Sequence, residues 1–531
     1  MSNYLMQSTF GKQGNFEVVA PLATGGLAHF FRDNEKPDKP WSAPNKFGPE
    51  SVKFCGTALI QSNYNKPGGN FEVVAVSSEG QLFHFWRNPD FTWSQTPTPI
   101  ASGVTGTPSL IQSTFGEQGN FEVVVPLATG GLAHFFRDNE KPDKPWSGSN
   151  PFGPSDLMFS AVSLIQSNYN KPGGNFEVVA INGNRLFHFW RNPDFTWSQN
   201  PTPITTEAIG IPSLIQSTFG EQGNFEVVVP LATGGLAHFF RDNEKPDKPW
   251  IPAGRIDVNN GQFNGAALIQ SNYNNPGNFE VVAVTREGQL HHYWRNPDFT
   301  WSRTLTPIAS GVNIAIPHVN IHVYMAPGAN RISNTPGVTD RVQEQIDVAN
   351  AIWSREAGIR VNLIGITKIV TMPPAESIAF KSKDIPCGIA EFVDNFPNPI
   401  RGRVSRLLGF RDLTRSTLPV YFIGGDDIQP NPQVTGCILI TRHPDVGIVL
   451  SNGALNRILA HEIGHALFFD PTNLTGARPV LPDPSADPTG DPNHSTVANN
   501  LMRDTVPSNF TIILVESQMN RALRSNFVIR C

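Results

Sequence analysis

The first three-fifths of the chain alternates short apolar runs with clusters of Gly, Pro and Asn, and this alternation repeats. The stretch "LIQSTFGEQGNFEVVVPLATGGLAHFFRDNEKPDKPW" begins at Leu110 and again at Leu214, with a near copy from Leu5. A second version, "LIQSNYNKPGGNFEVVAVSSEGQLFHFWRNPDFTW", starts at Leu59, with related stretches from Leu164 and Leu268. The glutamate of "NFEVV" falls at Glu17, Glu72, Glu122, Glu177, Glu226 and Glu280. That spacing averages about 53 residues, in the range of propeller blades and other repeat arrays. Each copy predicts four strands: at "SLIQSTF", at "NFEVVV", at "GLAHFFR", and from near the Trp of "KPW" or "FTW". Phe, Val, Tyr and Trp favour strands, and the Gly, Pro and Asn clusters interrupt them. Six such units predict an all-β six-bladed propeller over residues 1–312, because a closed ring buries both faces of every blade. The two versions alternate, so the ring should have pseudo-threefold symmetry. A β-trefoil is also threefold, but a pair of these units is too long for one of its lobes.

After "IASGVNIAIP" the repeat does not return, and residues 313–531 predict a second domain of α/β (α+β) type. "VNIHVYM", "IRVNLIGI" and "LPVYFIGG" read as strands, and "GCILITR" as another near an edge. "VTDRVQEQIDVANAIWSREAG" reads as a helix with Val342, Ile346, Ala349 and Trp353 on its apolar stripe; Thr339 or Asp340 can cap its start and Gly358 can end it. "SNGALNRILAHEIGHALFF" predicts a helix with Ser451 or Asn452 as its cap, and "VESQMNRALRSNF" predicts a closing helix.

Within "AHEIGHALFF", His461 and His465 stand four apart and project from one helical face, with Glu462 beside His461. Two imidazoles so placed can hold zinc while the carboxylate takes a proton from water. A zinc site of this kind needs a third protein ligand. From the residues, Asp470 just past the helix, or Asp491, can supply it. The segment resembles the metzincin zinc metalloproteases, in which H-E-x-x-H-x-x-G-x-x-H precedes a methionine turn. His461, Glu462 and His465 match; Phe468 and Pro471 stand where the family has Gly and the third His. "HSTVANNLM" resembles the family's segment from third ligand to turn. The resemblance implies His494 as third zinc ligand, Met502 as a structural floor beneath the metal, Glu462 as the catalytic base, and a peptide or protein substrate. "DPTNLTGARPVLPDPSADPTGDPN" would then be a loop insertion. Asp483, Asp487 and Asp491 recur every four residues in it; calcium could bind them, but a Pro after each favours a plain solvated loop.

The repeats carry polar and aromatic groups suited to sugars, with rings to stack on C–H faces and charged groups to bond hydroxyls. In the second unit the candidates are Glu72, His84, Arg87 and Trp93; in the fourth, Glu177, His188, Arg191 and Trp197. The same Glu and Arg can instead pair across strands, and the Trp can be blade core. In architecture and composition the repeats resemble lectin-type propellers, which implies a glycan ligand.

The totals remove several classes. Net charge is −5 and pI about 6.2, which gives no basic footprint for nucleic acid. No apolar run approaches a membrane span, and "MSNYLMQSTF" has no secretory signal pattern. A cytoplasmic location or export by another route is the expectation. The cysteines, Cys55, Cys387, Cys437 and Cys531, are too few for a disulfide scaffold; buried free thiols are favoured, with one bridge in the last third as the alternative. Two readings follow. One is a lectin-like propeller fused to a zinc endopeptidase that cuts proteins near the bound surface. The other is a binding propeller with a vestigial metalloprotease domain.

Overall fold

The computed structural model describes residues 3–332 apart from 65–67, 95, 170–173, 258–260, 275–276 and 315. Beyond these it describes 340–369, 407, 417–468 apart from 427, 431–432 and 441–445, then 494–503 apart from 498, and 512–529 apart from 526. The chain forms two compact units, Met1–Ile316 and Pro317–Ile529.

In the first unit, six four-stranded antiparallel sheets follow one another, each a simple meander in chain order. Blade I comprises Leu5–Gln7, Phe16–Pro21, Leu27–Arg32 and Asn45–Phe47; blade II comprises Phe54–Gln61, Phe71–Ser77, Gln81–Arg87 and Thr98–Ser102. Blades III and V repeat the first pattern from Ser109 and Ser213, and blades IV and VI the second from Phe159 and Phe263. The six-bladed propeller expected from the repeat is therefore present. One boundary differs. In blades I to IV the Trp of "KPW" or "FTW" makes only an isolated bridge, as in Arg32↔Trp41 and Arg87↔Trp93, and the fourth strand starts later. In blades V and VI the strand does begin at the Trp, Trp250 and Trp301.

Ring closure has a specific chemistry. The innermost strand of every blade ends in glutamine: Gln7, Gln61, Gln112, Gln166, Gln216 and Gln270. Each carboxamide reaches to the preceding blade, where its oxygen accepts a backbone N–H: Thr9 to Gln61 at 2.8 Å, Asn63 to Gln112 at 2.9 Å, Asn168 to Gln216 at 2.9 Å. The chain of contacts closes through Asn272 N–H to Gln7 at 3.0 Å, with the Gln7 amide donating to Asn272 Oδ1 at 2.7 Å. Blade VI also meets blade I in an apolar cluster of Tyr4, Leu5 and Phe16 with Val282, Val284 and Leu290. The segment after blade VI bonds to blade I through Asn313 N–H to Pro21 O at 2.9 Å. The segments after blades II and IV do the same to blades III and V, through Thr105 to Pro126 and Ile209 to Pro230. The threefold pattern in the sequence is thus a threefold pattern in the linkage.

The second unit has a five-stranded sheet in the order Arg360–Lys368, His318–Met325, Thr417–Phe422, Val446–Leu450, Gly436–Ile440. The first four run parallel and the last is antiparallel at the edge. Helix α1 is Arg341–Ala357, α2 is Ile458–Leu467 and α3 is Glu516–Arg524. The caps of α1 are as expected: Asp340 accepts from the N–H of Val342 and Gln343, and Gly358 ends the helix at φ 64°, a left-handed conformation that suits glycine. Helix α2 starts later than expected and has no side-chain cap of its own. Ser451 instead bonds Asp426 O and Thr435 O, while Gln345 of α1 accepts the Leu459 N–H. The strand Val446–Leu450 was not anticipated. Among the described residues no helix is long and apolar enough to cross a membrane, which says nothing of a β-barrel.

Cys55 and Cys437 are buried and each is disulfide-bonded, and no described cysteine is free. This corrects the expectation of free thiols. Cys387 and Cys531 lie outside the described residues.

Candidate functional site

The repeated Glu and His belong to one structural unit. In blade II, Glu72 and His84 lie diagonally on adjacent strands, with Glu72 Oε2 2.8 Å from His84 Nε2. Ser62 Oγ donates to the other carboxylate oxygen at 2.9 Å. Glu177, His188 and Ser167 repeat this in blade IV at 2.8 and 3.1 Å. All four Glu and His side chains are only 1–3% exposed. Burial at that depth requires the hydrogen bonds they make. The register places each blade's Arg opposite the Phe of "NFEVV", Phe71↔Arg87 for example. The guanidinium carbon of Arg87 lies 4.0 Å from the Phe71 ring centroid.

Between blades IV and V this unit meets the surface. A cavity of about 410 Å³ is lined by Tyr169, Trp190, Arg241, Asp247, Lys248 and Trp250, and also by Glu177 and His188. Of the sugar candidates in blade IV, Glu177 and His188 therefore reach this groove. Arg191 and Trp197 do not line it. They face blade III: Arg191 sits over Phe176 of its own blade and 5.7 Å from Phe115 of blade III, and Trp197 lies flat on Phe152 of blade III at 3.7 Å. Arg87 and Trp93 have the same place between blades I and II, with Trp93 3.7 Å from Phe47. Sequence reasoning missed Tyr169, Arg241 and Trp250. The signal was available in "SNY" and "DKPW", but it joins two different repeat versions, and each candidate set was drawn from one.

In the second unit, His461, His465 and His494 converge: one ring nitrogen from each lies within 4.8 Å of the others. His461 Nε2 and His465 Nε2 are 3.0 Å apart, and the His494 ring centroid is 5.4 and 5.1 Å from theirs. The α2 spacing puts the first two on one face. His461 Nδ1 meets Leu501 O at 2.8 Å, which leaves Nε2 directed inward. The His494 segment is pinned by Ser495 N–H to Met502 O at 2.8 Å. Asn500 fixes the same turn: its side chain accepts the Met502 N–H at 2.9 Å and bonds Gln518 of α3 at 2.8 and 3.0 Å. Met502 is fully buried beneath α2, where Gly464 makes room; a Cβ at Gly464 would stand 2.2 Å from Met502 Sδ.

Burial holds His465 well below the ordinary imidazole value, and His461 and His494 add to the effect. Burial pushes the Glu462 carboxyl up to about 8. Glu462 faces the edge strand: a Cβ on Gly436 would lie 3.0 Å from its Oε1. Three imidazoles, one oriented by a carbonyl, are the donor set that zinc takes in sites with a fourth position open. Tetrahedral bonds of 2.0–2.1 Å would separate the nitrogens by about 3.4 Å, so the cluster fits the ion. Asp470, Asp483, Asp487 and Asp491, and the stretch 469–493 that holds them, lie outside the described residues.

No protein-family model and no curated protein matched the chain. Solved structures that match part of the chain include the BP39L lectin of Burkholderia pseudomallei, 20% identical over 59% of this chain and 87% of that one, with a TM-score of 0.42. The Aleuria aurantia lectin, in a complex of its N224Q mutant with alpha-methyl-L-fucoside, is 13% identical over 59% and 98%, TM-score 0.43. AofleA from Arthrobotrys oligospora is 11% identical over 58% and 87%, TM-score 0.42.

Proposed function

We propose that the chain is a glycan-binding propeller protein, and that the grooves between its blades are the binding sites. The observation that carries this is the cavity between blades IV and V, where Tyr169, Trp190 and Trp250 stand with Arg241, Asp247 and Lys248. Aromatic rings offer faces to the C–H side of a pyranose, while guanidinium, ammonium and carboxylate groups bond its hydroxyls. Binding of the full chain on a glycan array, competed by the free sugar, tests this reading. Adsorption to proteins alone, insensitive to free sugar, would overturn it.

A second reading concerns the other unit and is favoured by the convergence of His461, His465 and His494. We propose that these residues hold zinc and that this unit hydrolyses peptide bonds. Bound there, a zinc ion would act as a Lewis acid for the scissile carbonyl and bring the pKa of water towards about 7. Glu462 accepts the proton from the attacking water and returns it to the leaving amine nitrogen. Among the described residues the edge strand Gly436–Ile440 pairs on one side, with Val446–Leu450, and an extended peptide could add along the other. Its proximity to Glu462 would set that peptide's path by the base. Metal analysis with a casein assay, with and without chelator, separates a working peptidase from a vestigial domain.

A further inference from the structure

The six interblade grooves are of two chemical kinds, in strict alternation. The first kind occurs where a "SNY" blade precedes a "DKPW" blade. Between blades II and III, Arg137 lies 5.5 Å and Lys144 4.8 Å from the Tyr64 ring, and Trp146 is 5.6 Å from His84. Between IV and V the matching distances are 5.7, 5.8 and 5.5 Å, from Arg241, Lys248 and Trp250. Between VI and I they are 5.7, 4.6 and 5.9 Å, from Arg32, Lys39 and Trp41. In all three the indole N–H is buried without a hydrogen-bond partner among the described residues, an unsatisfied donor that an acceptor in the groove would relieve.

The second kind is roofed by phenylalanine. Arg87 is enclosed by Phe71 at 4.0 Å, Phe91 at 5.0 Å and Phe10 at 5.6 Å, and Phe10 touches Phe91 at 5.8 Å between centroids. Arg191 is enclosed in the same way by Phe176, Phe195 and Phe115, and Arg295 by Phe279, Phe299 and Phe219. Arg87 and Arg191 are buried as a result, while Arg295 is half-buried. The roofing residues Phe91, Phe195 and Phe299 have φ of 69°, 67° and 67°. Bulky side chains rarely adopt that backbone. Its recurrence in all three blades marks the roof as a constructed feature rather than a loop accident.

Resting on the glycan reading above, we propose that this chain is trivalent: it binds one saccharide unit in each of the three Tyr–Arg–Lys–Trp grooves and none under the phenylalanine roofs. The connections between first and second strands and between third and fourth strands leave a four-stranded meander at the same end. Tyr64, Lys144 and their counterparts lie on such connections, so the three grooves open on one face of the ring, about a third of a turn apart. Such an arrangement suits a clustered glycan, with avidity from simultaneous engagement.

The test uses the full chain and the probe sugars methyl α-L-fucoside, methyl α-D-mannoside, methyl β-D-galactoside and N-acetylglucosamine. Native mass spectrometry and crystals soaked with each sugar count the occupied grooves without any variant. Three equivalents are expected, in the grooves of Tyr64, Tyr169 and Tyr273. Arg137→Met should lower the count to two, and the triple variant Arg32→Met/Arg137→Met/Arg241→Met should abolish binding. The triple variant Arg87→Met/Arg191→Met/Arg295→Met should still bind three. Six equivalents, or sugar beneath Phe91, Phe195 or Phe299, would overturn trivalency and leave the glycan reading standing. Binding of none of these sugars would overturn both.

Discussion

Glu462 has the most to reveal at the scale of single residues. Its carboxyl is buried and pushed up to about 8. Folding of the metal-free protein then favours the protonated carboxyl. The raised value means stability is fully present below the unfolded carboxyl's range and is lost as pH rises from there towards 8. Glu462→Gln removes that cost, so the metal-free variant should be more stable than the parent at pH 7 by on the order of 3 kcal/mol, read from urea midpoints. The same variant should keep zinc and lose about 10²–10⁴-fold in peptide hydrolysis. Hydrolysis equal to the parent would remove Glu462 from its role. His465 has the opposite sign. Its value is lowered, so the stability it lends is present above the unfolded imidazole range and falls as pH drops below about 6.5. In the Glu462→Gln background, where the opposing carboxyl is gone, urea midpoints of the chelated protein should decline from pH 7 to pH 5, and adding His465→Gln should flatten that slope.

At the scale of elements, the glutamine latch distinguishes one joint from five. Gln112 joins blades already adjacent in sequence, whereas Gln7 clasps blade I to blade VI across the whole ring. Gln112→Ala and Gln7→Ala each remove comparable hydrogen bonds, a loss of about 1–3 kcal/mol. Gln7→Ala should in addition expose the ring's seam to protease at low urea, and Gln112→Ala should not. Equal protease sensitivity would mean that the apolar cluster around Tyr4 closes the ring unaided. The latch was readable in principle, since Gln follows "LI" or "LM" in every unit, but nothing in one strand says that a side chain reaches the next blade. The strands themselves were legible because Val and Phe alternate with turn residues. The start of α2 was not. Ser451 looks like a cap, yet it ends a strand, and Gln345, more than a hundred residues earlier, takes the helix's free N–H. The strand Val446–Leu450 was hidden because "VGIVL" is short, wholly buried and without alternation. His461, Glu462 and His465 could be read from spacing alone. His494 came only through its family resemblance, since no local rule joins residues 29 apart. The bonded states of Cys55 and Cys437 were illegible because pairing is a fact of tertiary distance.

For the whole molecule, two ideas organise the chain: a ring whose alternating joints make two classes of groove, and a separate unit in which three imidazoles and a buried carboxylate meet. The sequence alternation explains the first. Tyr in one repeat version and Lys, Arg and Trp in the other come together only across a joint, so the duplicated pair, rather than the single blade, is the unit that repeats around the propeller. The most direct measurement of the central claim is glycan-array binding by the full chain, beside its Arg32→Met/Arg137→Met/Arg241→Met variant at equal folded concentration. The expected result is a defined set of glycans bound by the parent, displaced by the free sugar and lost in the variant. Binding unchanged in the variant, or no glycan bound by the parent, would contradict it.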